Sequence, residues 1–400
     1  MLPKGFRVGG ICSGIAKKNE KKDLALFISE SPASAAGVFT KNVVKAAPVL
    51  VDIERLRKED KFFGIIANSG CANACTGIDG EEDAKNMCLA IEKSFSLNVG
   101  SILCASTGII GQSLNISKER FERSVDLLKN NIGVSIENEN DAVLAIMTTD
   151  TFVKKVDRKI EVENGEIKIW GCVKGAGMIH PNMCGLHATM LSFILTDVEI
   201  ESEILQRILE NSSEKSFNCV SVDGDTSTND TVIVLANGQS GTGKLSKSNL
   251  EKFEKVFDEL TLELAQSVAK DGEGATKFIE IEVRNTKTKM YARLVASTIA
   301  TSPLFKTAMF GADANWGRIL AAAGRSGVIF DLSKVDIYIG GVQTFKNGRI
   351  LNFSEEAVKK SLLKKEVKVV VDFKAGKENG KYYTCDFSFD YVKINSSYRG

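Results

Sequence analysis

Residue types able to do chemistry are few and unevenly placed in this chain. Only two histidines occur, His180 and His187, so a hydrolase triad built on an imidazole base has little to draw on. The spacing His180, Cys184, His187 offers three metal ligands, but no fourth lies in sequence reach and the paired-cysteine clusters of structural zinc are missing. A packed loop is the plainer reading. Cys184 and His187 as nucleophile and base fare no better, since both share one short loop and no third group orients the imidazole. Gly238-Gln239-Ser240-Gly241-Thr242-Gly243-Lys244 imitates a phosphate loop, yet Leu245 stands where a magnesium-binding hydroxyl belongs. An ordinary glycine-rich connection is the stronger reading there.

The step Ala188-Thr189 is different. A small residue precedes a threonine that opens the apolar run Met190-Leu191-Ser192-Phe193-Ile194-Leu195. If that peptide bond is cut, the freed α-amine of Thr189 can act as general base for its own hydroxyl, and no histidine is needed. On spacing alone, a β-branched strand residue explains Thr189 better than a nucleophile does.

The elements that must position these groups alternate between strand-like and helical runs, without a low-complexity linker or an internal repeat. Asp83 to Phe95 places Met87, Cys88, Ile91 and Phe95 on one helical face. Ser117 is a suitable N-cap for a helix burying Phe121, Val125 and Leu128. Residues 249–270 repeat the pattern with Leu250, Phe253, Phe257, Leu260, Leu264 and Val268. Strands are expected at Lys168 to Val173, Met190 to Leu195, Thr231 to Ala236 and Phe278 to Val283. An α/β layered protein follows. A doubly wound sheet is disfavoured, because no strand with a glycine-rich turn opens the chain in the nucleotide-binding manner.

Composition narrows the function classes. The 400 residues are 43% hydrophobic, enough for one large core or two ordinary ones. Lys plus Arg number 52 and Asp plus Glu 51, a net charge of +1, so no global field favours nucleic acid or an anionic membrane. Apolar stretches such as Val232-Ile233-Val234-Leu235-Ala236 fall far short of the roughly 20 residues that span a bilayer. Lys4 and Arg7 are followed by Gly9, Gly10 and Gly14 rather than an apolar signal region. A soluble, cytoplasmic protein is expected, its nine cysteines serving as small core residues without disulfides.

Several motifs occur in one order along the chain: Gly37-Val38-Phe39-Thr40, Asn68-Ser69-Gly70, Ala72-Asn73-Ala74-Cys75-Thr76-Gly77 and Ser106-Thr107-Gly108-Ile109-Ile110-Gly111. Met147-Thr148-Thr149-Asp150-Thr151 and the region from Lys174 to Thr189 come next. Asp271-Gly272-Glu273-Gly274-Ala275-Thr276-Lys277, Asn315-Trp316-Gly317-Arg318-Ile319-Leu320 and Tyr391-Val392-Lys393-Ile394-Asn395 complete the set. In these motifs the chain resembles the bifunctional ornithine acetyltransferase/N-acetylglutamate synthase family of arginine biosynthesis.

The resemblance implies a layered sheet-and-helix sandwich with a smaller C-terminal region. It also implies a precursor that cleaves itself between Ala188 and Thr189, leaving an alpha chain 1–188 and a beta chain 189–400 associated as α2β2. Thr189 would take acetyl from N²-acetylornithine, release ornithine and pass the acetyl to glutamate, a ping-pong reaction through an ester. Carried over position by position, the oxyanion donors are Thr107 and Gly108. Lys174 and Glu273 meet the substrate's α-carboxylate and α-nitrogen, and Thr148 and Asn395 are further polar contacts. No cofactor or metal is implied; use of acetyl-CoA as a donor separates bifunctional members from those that only recycle acetyl groups, and both share these motifs.

Three departures from the family pattern stand out. Cys184-Gly185-Leu186-His187 is inserted before Ala188, beside the bond to be cut. The family ends in a Thr or Ser that touches substrate, whereas Gly400 takes that substrate-binding position here without a hydroxyl. Cys71 stands where Asn is expected. Two other functions fit the same residues: an aminopeptidase or amidase using the same self-made nucleophile, and an unprocessed amino-acid-binding protein.

Overall fold

The computed structural model describes residues 1–17, 20–114, 116–181 and 190–397. Two units divide the chain: Met1–Asn218 with Asp225–Ala265, and Cys219–Gly224 with Gln266–Arg399. The first holds strands β1 (Phe6–Ile11), β2 (Leu24–Phe39), β3 (Lys61–Cys71), β4 (Ile102–Ile109), β5 (Lys154–Val162), β6 (Gly165–Lys174) and β7 (Leu191–Thr196). The two-residue β8 (Val220–Ser221) belongs to the second unit, and β9 (Thr231–Ala236) returns to the first. Among the described residues these first-unit strands form one sheet in the order β4-β3-β2-β9-β7-β6-β5, with β1 paired to β2.

The middle of this sheet is buried on both faces, and the sequence of β2 says why. Leu24, Leu26 and Ile28 enter one apolar cluster and Ala25 and Phe27 the other, as a period of two requires when both sides are apolar. Helices α1 (Ala47–Lys58), α2 (Gly77–Ser94), α3 (Lys118–Asn131) and α4 (Ile136–Ile146) supply the covering layers. Met87, Cys88, Ile91, Phe121, Val125 and Leu128 pack into the first cluster, and Ala142, Val143 and Ile146 into the second. Phe27 packs with tilted rings 4.9 Å from Phe193 and 6.2 Å from Trp170, ring centre to ring centre. Removing that ring would cost about 3–5 kcal/mol.

The helices confirm the periodicity reading and add to it. Ser117 caps α3 by accepting the Arg120 N–H, and Ser135 and Asn138 form a reciprocal capping box on α4. The second helix starts at Gly77, earlier than its apolar face predicts. Gly77, Ile78 and Asp79 are exposed, so that turn leaves no apolar trace in the sequence. Among the expected strands, that at Met190 to Leu195 is shifted by one residue, to β7. Parallel pairing is confined to β3 with β4 and β7 with β9 in this sheet, unlike a doubly wound arrangement.

The order of strands interleaves the two halves of the sequence. β7 lies between β6 and β9, and β9 lies between β7 and β2. A cut before residue 190 would therefore leave two pieces held by the β6–β7 and β2–β9 ladders.

The first unit also contains α5 (Ser202–Lys215) and most of α6 (Lys247–Lys270), where Phe253, Phe257, Leu260 and Leu264 are buried as read from the sequence. The second unit is smaller. Its strands β10 (Phe278–Thr286), β11 (Asp336–Ile339), β12 (Val342–Lys346), β13 (Arg349–Ile350), β14 (Glu366–Asp372) and β15 (Glu378–Cys385) order as β13-β12-β11-β14-β10-β15-β8. With them go α7 (Lys289–Ala300), α8 (Pro303–Phe310), α9 (Trp316–Gly324), α10 (Glu355–Leu362) and α11 (Phe389–Ser397). Among the described residues no helix is long and apolar enough to cross a membrane. Cys71, Cys88, Cys104, Cys172 and Cys385 are buried and not in disulfides.

Candidate active site

The end of β4 carries Thr107 and Gly108. Gly108 has φ +131°, and a Cβ there would fall 2.4 Å from the Gly70 carbonyl carbon and 2.6 Å from the Cys71 nitrogen. Glycine is the residue that lets the two backbones pass this closely. Side chains pin the neighbouring Ser106 on both sides: its hydroxyl donates to Asn68 Oδ1 at 2.6 Å, and its carbonyl accepts from Asn229 Nδ2 at 2.8 Å. Asn229 also donates to the Ala72 carbonyl. Cys71, the departure from the family's Asn, is buried, donates its thiol to the Gln112 carbonyl at 3.1 Å and accepts from Asn68 through its own carbonyl.

Lys174 ends β6, paired opposite Leu191 of β7. It is buried, and its Nζ donates to Thr107 Oγ1 at 3.1 Å. An ammonium has no lone pair, so the threonine oxygen must be the acceptor and its own O–H remains to donate. That orientation suits an oxyanion donor.

Asp150 organises the approach to Lys174. Its Oδ1 accepts from Lys154 Nζ at 2.6 Å and from the Gly175 N–H at 2.6 Å. Its Oδ2 accepts the Thr148 N–H at 3.0 Å. Burial pushes this carboxyl up, but the charges of Lys174 and Lys154 and these hydrogen bonds outweigh it and hold the group at about 2. The ionised carboxylate thus fastens the Thr148 loop to the residue following Lys174.

A second acid, Asp230, lies just before β9 and is fully buried. Neither of its carboxylate oxygens has a hydrogen-bond partner among the described residues. Burial raises this carboxyl well above its ordinary range, with only the Lys174 charge opposing.

In the second unit, Asn395 Nδ2 donates to Glu273 Oε2 at 2.8 Å and to the Tyr391 carbonyl at 3.1 Å. Glu273 is buried three residues past the end of α6. Gly274, at φ +68°, passes close to α11: a Cβ would meet the Tyr391 nitrogen at 2.5 Å.

Thus the structure brings together Thr107, Gly108 and Lys174, with Thr148 tied in through Asp150, and it separately pairs Glu273 with Asn395. Ala188, Thr189, Cys184 to His187 and Gly400 lie outside the described residues. The phosphate-loop imitation resolves as the bland reading: Lys244 pairs with Glu201 at 2.9 Å on the surface, and α6 begins only at Lys247. Of the two histidines, His180 offers its carbonyl to the Thr226 hydroxyl at 2.8 Å.

The ArgJ family model matches residues 7–400. The chain belongs to the ArgJ family. It is 48% identical over 404 residues to the arginine biosynthesis bifunctional protein ArgJ of Caldanaerobacter subterraneus, covering 100% of this chain and 98% of that relative. It is 44% identical over 406 residues to the glutamate N-acetyltransferase of Methanocaldococcus jannaschii, covering 99% and 97%. The crystal structure of the arginine biosynthesis bifunctional protein ArgJ from Bacillus halodurans matches at 42% identity and a TM-score of 0.51, over 52% of this chain and 100% of that one.

Against this ArgJ-family background, sequence reasoning passed over Asp150, Lys154, Asn229 and Asp230. Asp150 sits inside a motif from which only Thr148 was selected. For Asp230 a signal existed: an acid directly heads the strand Thr231-Val232-Ile233-Val234-Leu235-Ala236, every residue of which is buried.

Proposed function

We propose that this ArgJ-family chain is a cytoplasmic glutamate N-acetyltransferase. It moves acetyl from N²-acetyl-L-ornithine to L-glutamate through an ester on Thr189. The observation that carries the proposal is the register of Lys174 with Leu191. Through it, the strand that follows Thr189 starts beside the buried Lys174–Thr107 pair and Gly108. The α-amine freed by self-cleavage takes the Thr189 Oγ proton as the oxygen attacks the acetyl carbonyl. The Thr107 O–H and the Gly108 N–H hold the oxyanion. Collapse expels the ornithine amine, which takes that proton. The amine of glutamate then attacks the ester in the reverse sense and leaves as N-acetylglutamate.

Lys174, the buried cation that donates to Thr107, is the group set against a substrate α-carboxylate. Glu273, held by Asn395 in the second unit, keeps the α-nitrogen-binding role that the resemblance to the family implies. The pieces 1–188 and 189–400 stay paired through the interleaved sheet and double to α2β2.

The testing experiment mixes purified protein with acetyl-labelled acetylornithine and glutamate. Label should appear in acetylglutamate with wild type and not with Thr189→Ala. Label released as acetate without transfer would contradict the proposal. Acetyl-CoA in place of acetylornithine tests the second donor.

A further inference from the structure

The motif Asp271-Gly272-Glu273-Gly274-Ala275-Thr276-Lys277 enters the proposed function through Glu273 alone, yet its other residues are fixed to one stretch of chain. It forms the loop between α6 and β10. β10 and β15 pair antiparallel with Phe278 opposite Cys385, and beyond that rung side chains take over from the backbone ladder. Asp386 is buried. Its Oδ1 accepts the Thr276 N–H at 2.8 Å and the Lys277 N–H at 2.9 Å, and its Oδ2 accepts the Thr276 hydroxyl at 2.5 Å. Ser388 Oγ donates to the Gly274 carbonyl at 2.6 Å and accepts the Asp390 N–H at 3.2 Å. Asn395 then reaches Glu273. Outward from Phe278 the partners run Lys277 with Asp386, Gly274 with Ser388 and Glu273 with Asn395, so side chains carry the register of β15 as far as Glu273.

A binding group has to be held to within about 0.5 Å, and a loop does this less well than a strand or helix unless other groups support it. Asp386 is the first support beyond the ladder. One carboxylate oxygen taking two consecutive main-chain N–H groups fixes the course of the chain between them, and hydrogen bonds to an ionised acceptor are the stronger kind. Lys277 Nζ secures the same residue from the other side, donating to the Met309 and Phe310 carbonyls at the end of α8. Gly274 leaves no slack, because a Cβ there would also lie 2.9 Å from Ser388 Oγ. Phe387 and Tyr391 stack with ring centres 4.6 Å apart, which keeps the segment between Asp386 and Asn395 in place. Without Asp386 the Thr276 and Lys277 N–H groups lose their acceptor, and the displacement passes along the loop to Glu273.

We infer that Asp386 is a positioning residue for Glu273: by holding the N–H groups of Thr276 and Lys277 it sets where the Glu273 carboxylate stands, with Ser388 as the second hold. It acts through Glu273 and not on the substrate. This inference rests on the α-nitrogen-binding role of Glu273 in the proposed function.

The test is a double-mutant cycle on steady-state acetyl transfer, with an unfolding curve for each variant. Asp386→Ala, Asp386→Asn and Ser388→Ala are measured alone and together with Glu273→Ala. Asp386→Ala should lower kcat/KM for acetylornithine and for glutamate roughly 10- to 100-fold, the cost of a binding group displaced by about 1 Å. Asp386→Asn should recover most of that loss, because its amide oxygen still accepts both N–H groups and its amide nitrogen can donate to the Thr276 oxygen. With Glu273→Ala in place, Asp386→Ala should cost less than about twofold more, since nothing is left for it to position. An equal loss in both backgrounds overturns the inference, as does a folded Asp386→Ala with wild-type kinetics or an Asp386→Asn as impaired as the alanine variant. Should Asp386→Ala not fold, Ser388→Ala carries the same comparison. Its loss of one hydrogen bond should cost roughly two- to tenfold with Glu273 present and nothing without it, and an equal loss in both backgrounds again overturns the inference. If Glu273→Ala alone keeps wild-type kinetics, the underlying reading of Glu273 fails and the inference falls with it.

Discussion

Lys174 donates a hydrogen bond to the hydroxyl oxygen of Thr107 across 3.1 Å, between residues 67 apart in sequence. The direction of this bond matters more than its energy. Because the ammonium can only donate, Thr107 is left with one hydrogen and a fixed acceptor side, and its O–H is aimed away from Lys174. A hydroxyl that would otherwise rotate is pre-oriented for an oxyanion, which is where preorganisation contributes most.

Thr107→Ala removes that donor. Turnover is expected to fall by about 10²-fold, while the unfolding midpoint in denaturant moves little. Steady-state kinetics beside an unfolding curve checks both; unchanged turnover would exclude Thr107 from the oxyanion role.

Lys174→Met removes the cation proposed to meet the α-carboxylate of acetylornithine and of glutamate in turn. A charge-assisted contact is worth about 1.5–3 kcal/mol, so kcat/KM should drop roughly ten- to a hundredfold for each substrate. Varying donor and acceptor separately is the measurement. A loss confined to one of them would mean that Lys174 does not serve a shared site.

Asp150→Asn bears on pH-dependent stability. The wild-type carboxyl titrates at about 2, below the ordinary 3.8, because Lys174, Lys154 and the backbone hydrogen bonds outweigh its burial. A depressed carboxyl contributes stability that is present above about pH 4 and lost as pH falls towards 2, here about 2 kcal/mol. The stability gap between wild type and Asp150→Asn should therefore be widest near neutrality and shrink across that acid window. Urea unfolding at several pH values measures it; a gap independent of pH would contradict the ionised, paired state.

The interleaved sheet makes a further expectation. With β7 hydrogen-bonded to β6 and β9 to β2, the two pieces of a cut protein should co-elute on size exclusion and separate only in denaturant. Separation under native conditions would contradict this strand order.

The legible parts of the molecule were those with local patterns. The face of α3 with its Ser117 cap, the buried face of α6, and the apolar runs of β7 and β9 each declare themselves within a dozen residues or so. The first turn of α2 did not, since Gly77, Ile78 and Asp79 face solvent. Thr107, Gly108, Lys174 and Glu273 were reachable only through motif resemblance, because their contacts are long-range: Glu273 and Asn395 lie 122 residues apart. Asp150 and Asp230 escaped for the same reason. A carboxylate becomes notable only when its burial and its neighbours are known, and periodicity carries neither.

The central claim is that Thr189 becomes an N-terminal residue and carries the acetyl group. Denaturing mass spectrometry of the purified protein, before and after mixing with acetylornithine in the absence of glutamate, tests it most directly. The expected result is two fragments meeting between Ala188 and Thr189, with the 189–400 piece gaining the mass of one acetyl group and losing it when glutamate is added. An intact chain of 43.4 kDa that nonetheless transfers acetyl, or a cut chain that never carries the group, would contradict it.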